Sequence, residues 1–165
     1  MIYVGIDPGL DGAIALIDII RNETQAWDTP TLTVTKSSGS KREYNEGMMR
    51  TIVQGLLSRV PSAMHVECAL EQIHSMPGQG VRSMFSMGQG YGLWRGLLSM
   101  AGVPYKLVAP QTWKKYHGLL GADKEASRLL ALQSYPQLAP VLGRKKDHGR
   151  AEALLLADFA RARRA

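Results

Sequence analysis

Two acidic residues close apolar strands in this chain. In Met1-Ile2-Tyr3-Val4-Gly5-Ile6-Asp7-Pro8-Gly9, Ile2, Val4 and Ile6 alternate with Tyr3, Gly5 and Asp7, and Pro8-Gly9 stops the strand just after Asp7. Residues 63–72 (AMHVECALEQ) repeat the pattern. Met64, Val66, Cys68 and Leu70 face one side, and His65, Glu67, Ala69 and Glu71 the other, with Glu71 at the C-terminal end. If the two strands are parallel neighbours, two carboxylates meet at their ends. Such a pair repels itself unless a proton or a cation lies between. Oxygen ligands of this kind suit Mg²⁺ or Mn²⁺. The plainer readings are that Asp7 opens a turn and that Glu71 is an exposed strand-end acid.

A third cluster stands near the C-terminus, in Arg144-Lys145-Lys146-Asp147-His148-Gly149-Arg150-Ala151-Glu152 and the Ala/Leu-rich helix that follows. Glu152 lies in the polar first turns of that helix and His148 one turn before it, so the two share a face. Asp147 can reach the same space from the preceding loop. Capping and helix-dipole effects alone would also place a carboxylate and an imidazole there.

The chain of 165 residues carries a net charge of +6 and one cysteine, Cys68. That length predicts one domain, residues 1–165, with an ordinary core. A single cysteine in an apolar run excludes a disulfide framework and a cysteine-based zinc site, and fits a reducing, cytoplasmic setting. Asp7 interrupts the N-terminal apolar stretch, so no signal peptide is expected, and no apolar run is long enough to span a membrane. The basic balance, with a pI near 9.6, makes a polyanionic partner plausible.

The elements that must carry these residues follow from local pattern. Residues 12–18 form a second strand joined to the first by a Gly-rich turn, an antiparallel hairpin. Residues 23–35 hold one or two further strands broken at Pro30. Residues 36–42 (KSSGSKR) read as a mobile basic loop, able to follow a phosphate backbone or simply solvated. Residues 43–60 show the apolar spacing of an amphipathic helix ended by Pro61. A loop over 74–82, with His74 and Arg82, precedes a helix over 83–101. Along that helix run Gly88, Gly92 and Gly96, a stripe that suits close approach by another surface. The favoured partner is the chain's own sheet or helices, ahead of a second subunit or a nucleic-acid backbone.

Residues 104–108 make a short strand ended by Ala109-Pro110. Residues 111–116 (QTWKKY) mix Trp113 and Tyr116 with Lys114 and Lys115, which suits phosphates and bases, or an amphipathic helix with a buried Trp. Asp123 caps a helix to about Ser134 whose core side is Leu129, Leu130 and Leu132. Residues 135–143, with Pro136 and Pro140, read as a loop. Arg161, Arg163 and Arg164 read as a solvated tail.

Taken together in order, IDPG, ALEQ, MGQGYG (87–92), VAP with the lysine-bearing turn after it (108–114), and DHGRAEALLLA resemble the RuvC family of Holliday-junction resolvases, especially phage-encoded members. The likeness runs over nearly the whole chain. It implies an α/β, RNase H-like fold: a five-stranded mixed sheet, three antiparallel strands then two parallel, flanked by helices. It implies a homodimer that nicks two strands of a four-way DNA junction symmetrically with Mg²⁺, Mn²⁺ being a substitute, in a bacterial or phage-infected cell, with no small-molecule cofactor.

The family's acids carry over onto Asp7, Glu71 and Glu152. The further Asp or His that the family places three residues before the last acid falls on Gly149. Asp147, ranked first as metal ligand, or His148, as proton shuttle or phosphate contact, must substitute, or the site is one ligand short. His74 stands where some members carry an aromatic residue. The DNA-binding lysines fall on Lys114 and Lys124, with Lys115, His74 and Arg82 as further contacts. Phosphodiester hydrolysis by two cations about 4 Å apart would have Asp7 bridging, Glu71 on one ion, and Glu152 with Asp147 on the other. The rivals are another RNase H-like nuclease acting on branched DNA or RNA–DNA hybrids, a junction-binding protein without catalysis, and a nucleotide-binding protein of the sugar-kinase type, for which the chain is short.

Overall fold

A computed structural model of the chain describes residues 1–37, 39–75 and 78–163, without the side chains of Lys36 and Lys124. In chain order the elements are β1 (Ile2–Asp7), β2 (Ala13–Asp18), β3 (Glu23–Asp28), β4 (Thr31–Lys36), β5 (Gly39–Tyr44), α1 (Glu46–Leu57), β6 (Val66–Glu71), α2 (Val81–Met100), β7 (Tyr105–Val108), α3 (Pro110–Tyr116), α4 (Lys124–Ser134), α5 (Ala139–Leu142) and α6 (His148–Ala162).

The five-stranded sheet has the order β3-β2-β1-β6-β7. β1 pairs antiparallel with β2, and β2 with β3, while β1–β6 and β6–β7 are parallel. This is the mixed sheet that the sequence leads one to expect. The parallel register sets Ile6 beside Leu70, so the next residues, Asp7 and Glu71, end neighbouring strands. Strands in a sheet lie about 4.8 Å apart.

Alternation decides which way those acids point. Ile2, Val4 and Ile6 join Val66, Cys68 and Leu70 in a core against α1 and α2, with Met49, Val53, Trp94 and Leu98. Tyr3 and Ala69, one residue out of phase, join the opposite core, built on α6 with Trp113 and Ala131. Asp7 and Glu71 have the parity of Tyr3 and Ala69. They therefore belong to the α6 face. That helix rides directly on β1 at Gly5, where a Cβ would collide with the Ala153 carbonyl oxygen and the Ala157 nitrogen. Glu152, next to Ala153, is thereby set close to the strand end that carries Asp7.

Several local readings are corrected. Residues 36–42 are not a loop. The described residues among them belong to a separate two-stranded hairpin, β4–β5, whose rungs run from Thr31–Tyr44 to Lys36–Gly39. A run of charged and small polar residues has no apolar alternation to reveal a strand. The following helix accordingly starts at Glu46 rather than 43, capped by the Asn45 side chain, which accepts from Met48 N. The strand over 63–72 is shorter, because Ala63–His65 is a 3₁₀ turn. α2 starts at Val81, which puts Arg82 in its first turn rather than in a loop. Residues 135–143 hold helical turns, Pro136–Leu138 and Ala139–Leu142. α4 is capped by Asp123 as expected, but Leu129 is 53 % exposed, and Ala131 fills the core position.

The glycine stripe also differs from the favoured reading. A Cβ on Gly88, Gly92 or Gly96 would meet nothing within 4 Å, so the chain's own core does not cover that face. The close approach is made instead by Gly90, where a Cβ would strike the Tyr44 ring and the Pro8 carbonyl oxygen. In the basic tail, Arg161 pairs with Asp158 and Arg163 lies over the Phe159 ring, while Arg164 falls outside the described residues. Among the described residues no helix is long and apolar enough to cross a membrane.

Candidate active site

Each acid of the cluster is placed by a different element. Asp7 ends β1 at a tight turn, where its Oδ1 accepts from Gly9 N at 3.4 Å and Gly12 N donates to Gly9 O at 3.0 Å. Glu71 ends β6 and accepts from the Trp113 indole nitrogen at 3.0 Å. Glu152 lies in the second turn of α6, 9 % exposed, with the Lys114 ammonium 3.6 Å from its Oε1.

These groups feel one another. Burial pushes the Glu71 carboxyl up to about 7, and the neighbouring Asp7 charge adds to the effect; the Trp113 hydrogen bond opposes it, Glu152 raises it again and Lys114 lowers it. Negative charge from three carboxylates is thus gathered here, with the Lys114 ammonium beside Glu152. Among the described residues, no group of three or more His, Cys, Asp or Glu converges tightly enough to hold an ion as the side chains lie. In donor type and excess charge, the set Asp7, Glu71 and Glu152 nevertheless fits a hard divalent cation.

Trp113 is fully buried, so it is not a stacking platform. Its role here is to fix Glu71, the buried-Trp alternative for 111–116. Lys114 spans the Trp113 ring, 5.3 Å from its centroid, to reach Glu152. Lys115 is exposed in the last turn of α3, and His74 is exposed in the segment after β6. The Lys124 side chain lies outside the described residues.

Asp147 is not brought to the cluster, against the order that ranked it ahead of His148. Its carboxylate accepts from the Arg144 backbone nitrogen at 2.9 Å and from the Arg144 guanidinium at 2.9 and 3.2 Å, with Arg150 at 3.9 Å. Burial would raise its pKa, but the Arg144 hydrogen bonds and the two guanidinium charges outweigh this and hold it below the ordinary range. Asp147 lines a neighbouring pocket with Arg144, Lys146 and Asp28. His148 lines that pocket too, and it also shares a cleft of about 530 Å³ with Asp7 and Glu152, which Asp147 does not line. Gly149 cannot stand in for either, because a Cβ there would sit 2.6 Å from the Asp11 carbonyl oxygen.

The same cleft also carries cations. Lys41 and Arg42 of β5 and Arg82 of α2 line it together with the acids. Of these, only Arg82 is among the sequence-assigned contacts. The basic composition of 36–42 was the available signal for the other two.

A search of solved structures finds Thermus thermophilus RuvC in complex with a Holliday junction substrate, with a TM-score of 0.52 and 18 % identity over 100 % of this chain and 96 % of that one. The fold is that of RuvC. A second structure of Thermus thermophilus RuvC aligns over 98 % of the chain at 20 % identity and a TM-score of 0.49. In sequence, the RuvC-like chain is 40 % identical over 86 residues to the chloroplastic Holliday junction resolvase MOC1 of Chlamydomonas reinhardtii. That match takes in 52 % of this chain and 10 % of that protein's length. No protein-family model matches the chain.

Proposed function

We propose that this RuvC-like chain is a structure-selective endonuclease of the RuvC family that resolves four-way DNA junctions by metal-dependent phosphodiester hydrolysis. The observation that carries the reading is the convergence of Asp7, Glu71 and Glu152 from β1, β6 and α6 on one face of this fold, where burial first, and then the neighbouring Asp7 and Glu152 charges, push the Glu71 carboxyl up to about 7. The sequence likeness to a Holliday junction resolvase supports the choice of substrate.

Asp7, Glu71 and Glu152 would hold Mg²⁺, or Mn²⁺ in its place. Once bound, such ions supply an activated water and charge neutralisation on the phosphate. The chain's own groups do the rest. Trp113 orients Glu71 by its hydrogen bond. Lys114 balances Glu152 and, on binding, is placed to turn to a phosphate. His148 stands in the same cleft, where its imidazole would serve as proton shuttle or phosphate contact. Lys114, Lys115, Arg82 and His74 would contact the backbone around the cleaved bond and add affinity rather than sequence choice.

Paired nicks require two sites, and we assign them to a homodimer. Val81, 78 % exposed, Phe85, 74 % exposed, and Gly88, Gly92 and Gly96 lie at helical spacing along one side of α2 with nothing of this chain over the glycines. A second copy could approach there closely. Light scattering of the chain and of Gly92→Leu tests this assignment, a dimer that becomes a monomer being the expected result.

The test of function is incubation of a four-way junction, labelled on opposing strands, with the protein in Mg²⁺, Mn²⁺ or Ca²⁺. Symmetric nicks with the first two ions are expected. Binding without nicks under every ion would reduce the chain to a junction-binding protein, and preferential cleavage of RNA–DNA hybrids or flaps would move it to another nuclease class.

A further inference from the structure

The hairpin β4–β5 is the largest feature that the carboxylate site does not explain. It stands outside the main sheet. A two-stranded ribbon is at best marginally stable alone in water, so its anchorage identifies its fixed end. Tyr44 Oη donates to the Ser86 and Pro8 carbonyl oxygens at 3.0 and 3.3 Å, and Asn45 N donates to Pro30 O at 2.9 Å. Arg42 Nη1 donates to Asp11 Oδ1 and Nη2 to Leu10 O, each at 2.6 Å. These hydrogen bonds reach the turn after Asp7, the start of α2 and the segment before β4. The other end, towards Lys36 and Gly39, points away from them.

Pairing fixes what each face of the ribbon carries. Directly opposed residues share a face, so Tyr44, Arg42 and Ser40 lie on the same side as Thr31, Thr33 and Thr35. Tyr44 is buried in the body and Arg42 lines the cleft. Beyond Arg42 the same face continues as Thr33, Thr35 and Ser40, all exposed, with the Thr35 and Ser40 hydroxyls 3.3 Å apart. It is a row of hydroxyls leading out of the cleft. Lys41 on the other face also lines the cleft, and its only ion pair among the described residues is with Glu43 at 3.5 Å. Exposed pairs of that kind contribute little and exchange readily for a stronger anion. Arg42 uses two of the five donors of its guanidinium on the turn, leaving the others for a ligand.

We infer that this hairpin is a sugar–phosphate backbone site: Lys41 and Arg42, with Arg82 of the same cleft, bind the DNA strand entering the cleft, and the Thr33, Thr35 and Ser40 hydroxyls continue the contact along that arm. The inference rests on the proposed nuclease reading and adds to it an arm that the carboxylates and Lys114 do not supply. The chemistry is charge complementarity with hydroxyl donation, which holds a backbone in register without reading bases. The same residues tie the arm to the site, since Arg42 and Tyr44 hold the Pro8–Asp11 segment that follows Asp7.

Binding of a labelled four-way junction, measured by fluorescence anisotropy across a salt series in the uncleaving Asp7→Asn background, tests the inference. Lys41→Ala and Arg42→Ala should each lower the salt slope by about one unit and weaken binding roughly tenfold at 0.1 M salt. Arg42→Lys should recover most of the loss. Ser40→Glu sets a negative charge on the hydroxyl row without touching the turn, and should weaken binding by a similar factor while the melting temperature stays that of the parent. If the parent neither binds nor, with Asp7 restored, nicks the junction, the nuclease reading fails. If the parent does both, and Lys41→Ala and Ser40→Glu match it in affinity and slope, the hairpin is only a brace for the Asp7 turn and the inference is overturned.

Discussion

Glu71 and Asp147 are both largely buried acids, one at the end of β6 and one just before α6, and they are treated in opposite ways. Glu71 is set among other carboxylates, and its pKa rises to about 7. Asp147 is wrapped by Arg144 and approached by Arg150, and its pKa falls. The first arrangement leaves negative charge uncompensated and calls for a proton or a cation. The second is already complete, and it ties the segment before α6 in place. Arg150 extends that bracing to β3 through a two-pronged pair with Asp28, both contacts at 2.6 Å. Proximity of an acid to a site is therefore a poor guide to its role; what faces it decides.

The contrast breaks most visibly at Asp7. Asp7→Asn should abolish nicking in Mg²⁺ while leaving junction binding intact or tighter, because it removes a ligand charge and some repulsion of phosphate. Substantial turnover by this variant, followed on a labelled junction, would remove Asp7 from the site. His148→Ala should follow, slowing nicking by about 10²-fold with metal affinity retained, in keeping with loss of proton transfer. A rate within a few-fold of the parent would leave the imidazole without a chemical role.

A smaller effect is expected on stability. The folded Glu71 binds its proton more tightly than the unfolded chain, whose value is near 4.5. The stability linked to that proton is complete below about pH 4.5 and is lost as pH rises through about 7, on the order of 3 kcal/mol in all. Urea melts without divalent ions should show this fall, Glu71→Gln should flatten it, and Mg²⁺ should offset it at high pH. A parent profile that is flat from pH 4.5 to 7.5 would sink the account of Glu71. The smallest effect on catalysis belongs to Asp147→Asn: nicking per folded molecule should stay within about threefold of the parent, while the melting temperature drops by several degrees, since the charge of a buried carboxylate paired with Arg144 is lost. A loss of nicking as large as that of Glu152→Gln, with an unchanged melt, would return Asp147 to the metal set.

The acids on strand ends were legible because two independent patterns coincide there, period-two alternation and a stop signal just past Asp7. The central sheet, β1 with β2 and β6, was readable for the same reason. The hairpin was not, since residues 39–43 are polar on both faces and a strand exposed on both sides has no alternation to detect. The pairing of Asp147 with Arg144 was not legible, because nothing in the order of residues says that Arg144, three positions earlier, folds back over it. The Gly88, Gly92 and Gly96 spacing was visible, yet what covers a face is a property of the fold. Gly90, off that spacing, is the one pressed against Tyr44.

The contact between Gly149 and the Asp11 carbonyl bears on how such a site can change by mutation. With a Cβ only 2.6 Å from a backbone oxygen, position 149 tolerates no side chain while the turn between β1 and β2 keeps its shape. An acid or imidazole at 149 and the present turn are mutually exclusive states of one local structure. A single substitution from glycine therefore lands in a steric valley whatever its chemical merit, and any route to a fourth side chain at that spot must first move the turn. The path is ordered, and its first step, a shift of the loop that follows Asp7, disturbs the turn whose Gly9 nitrogen donates to the Asp7 carboxylate.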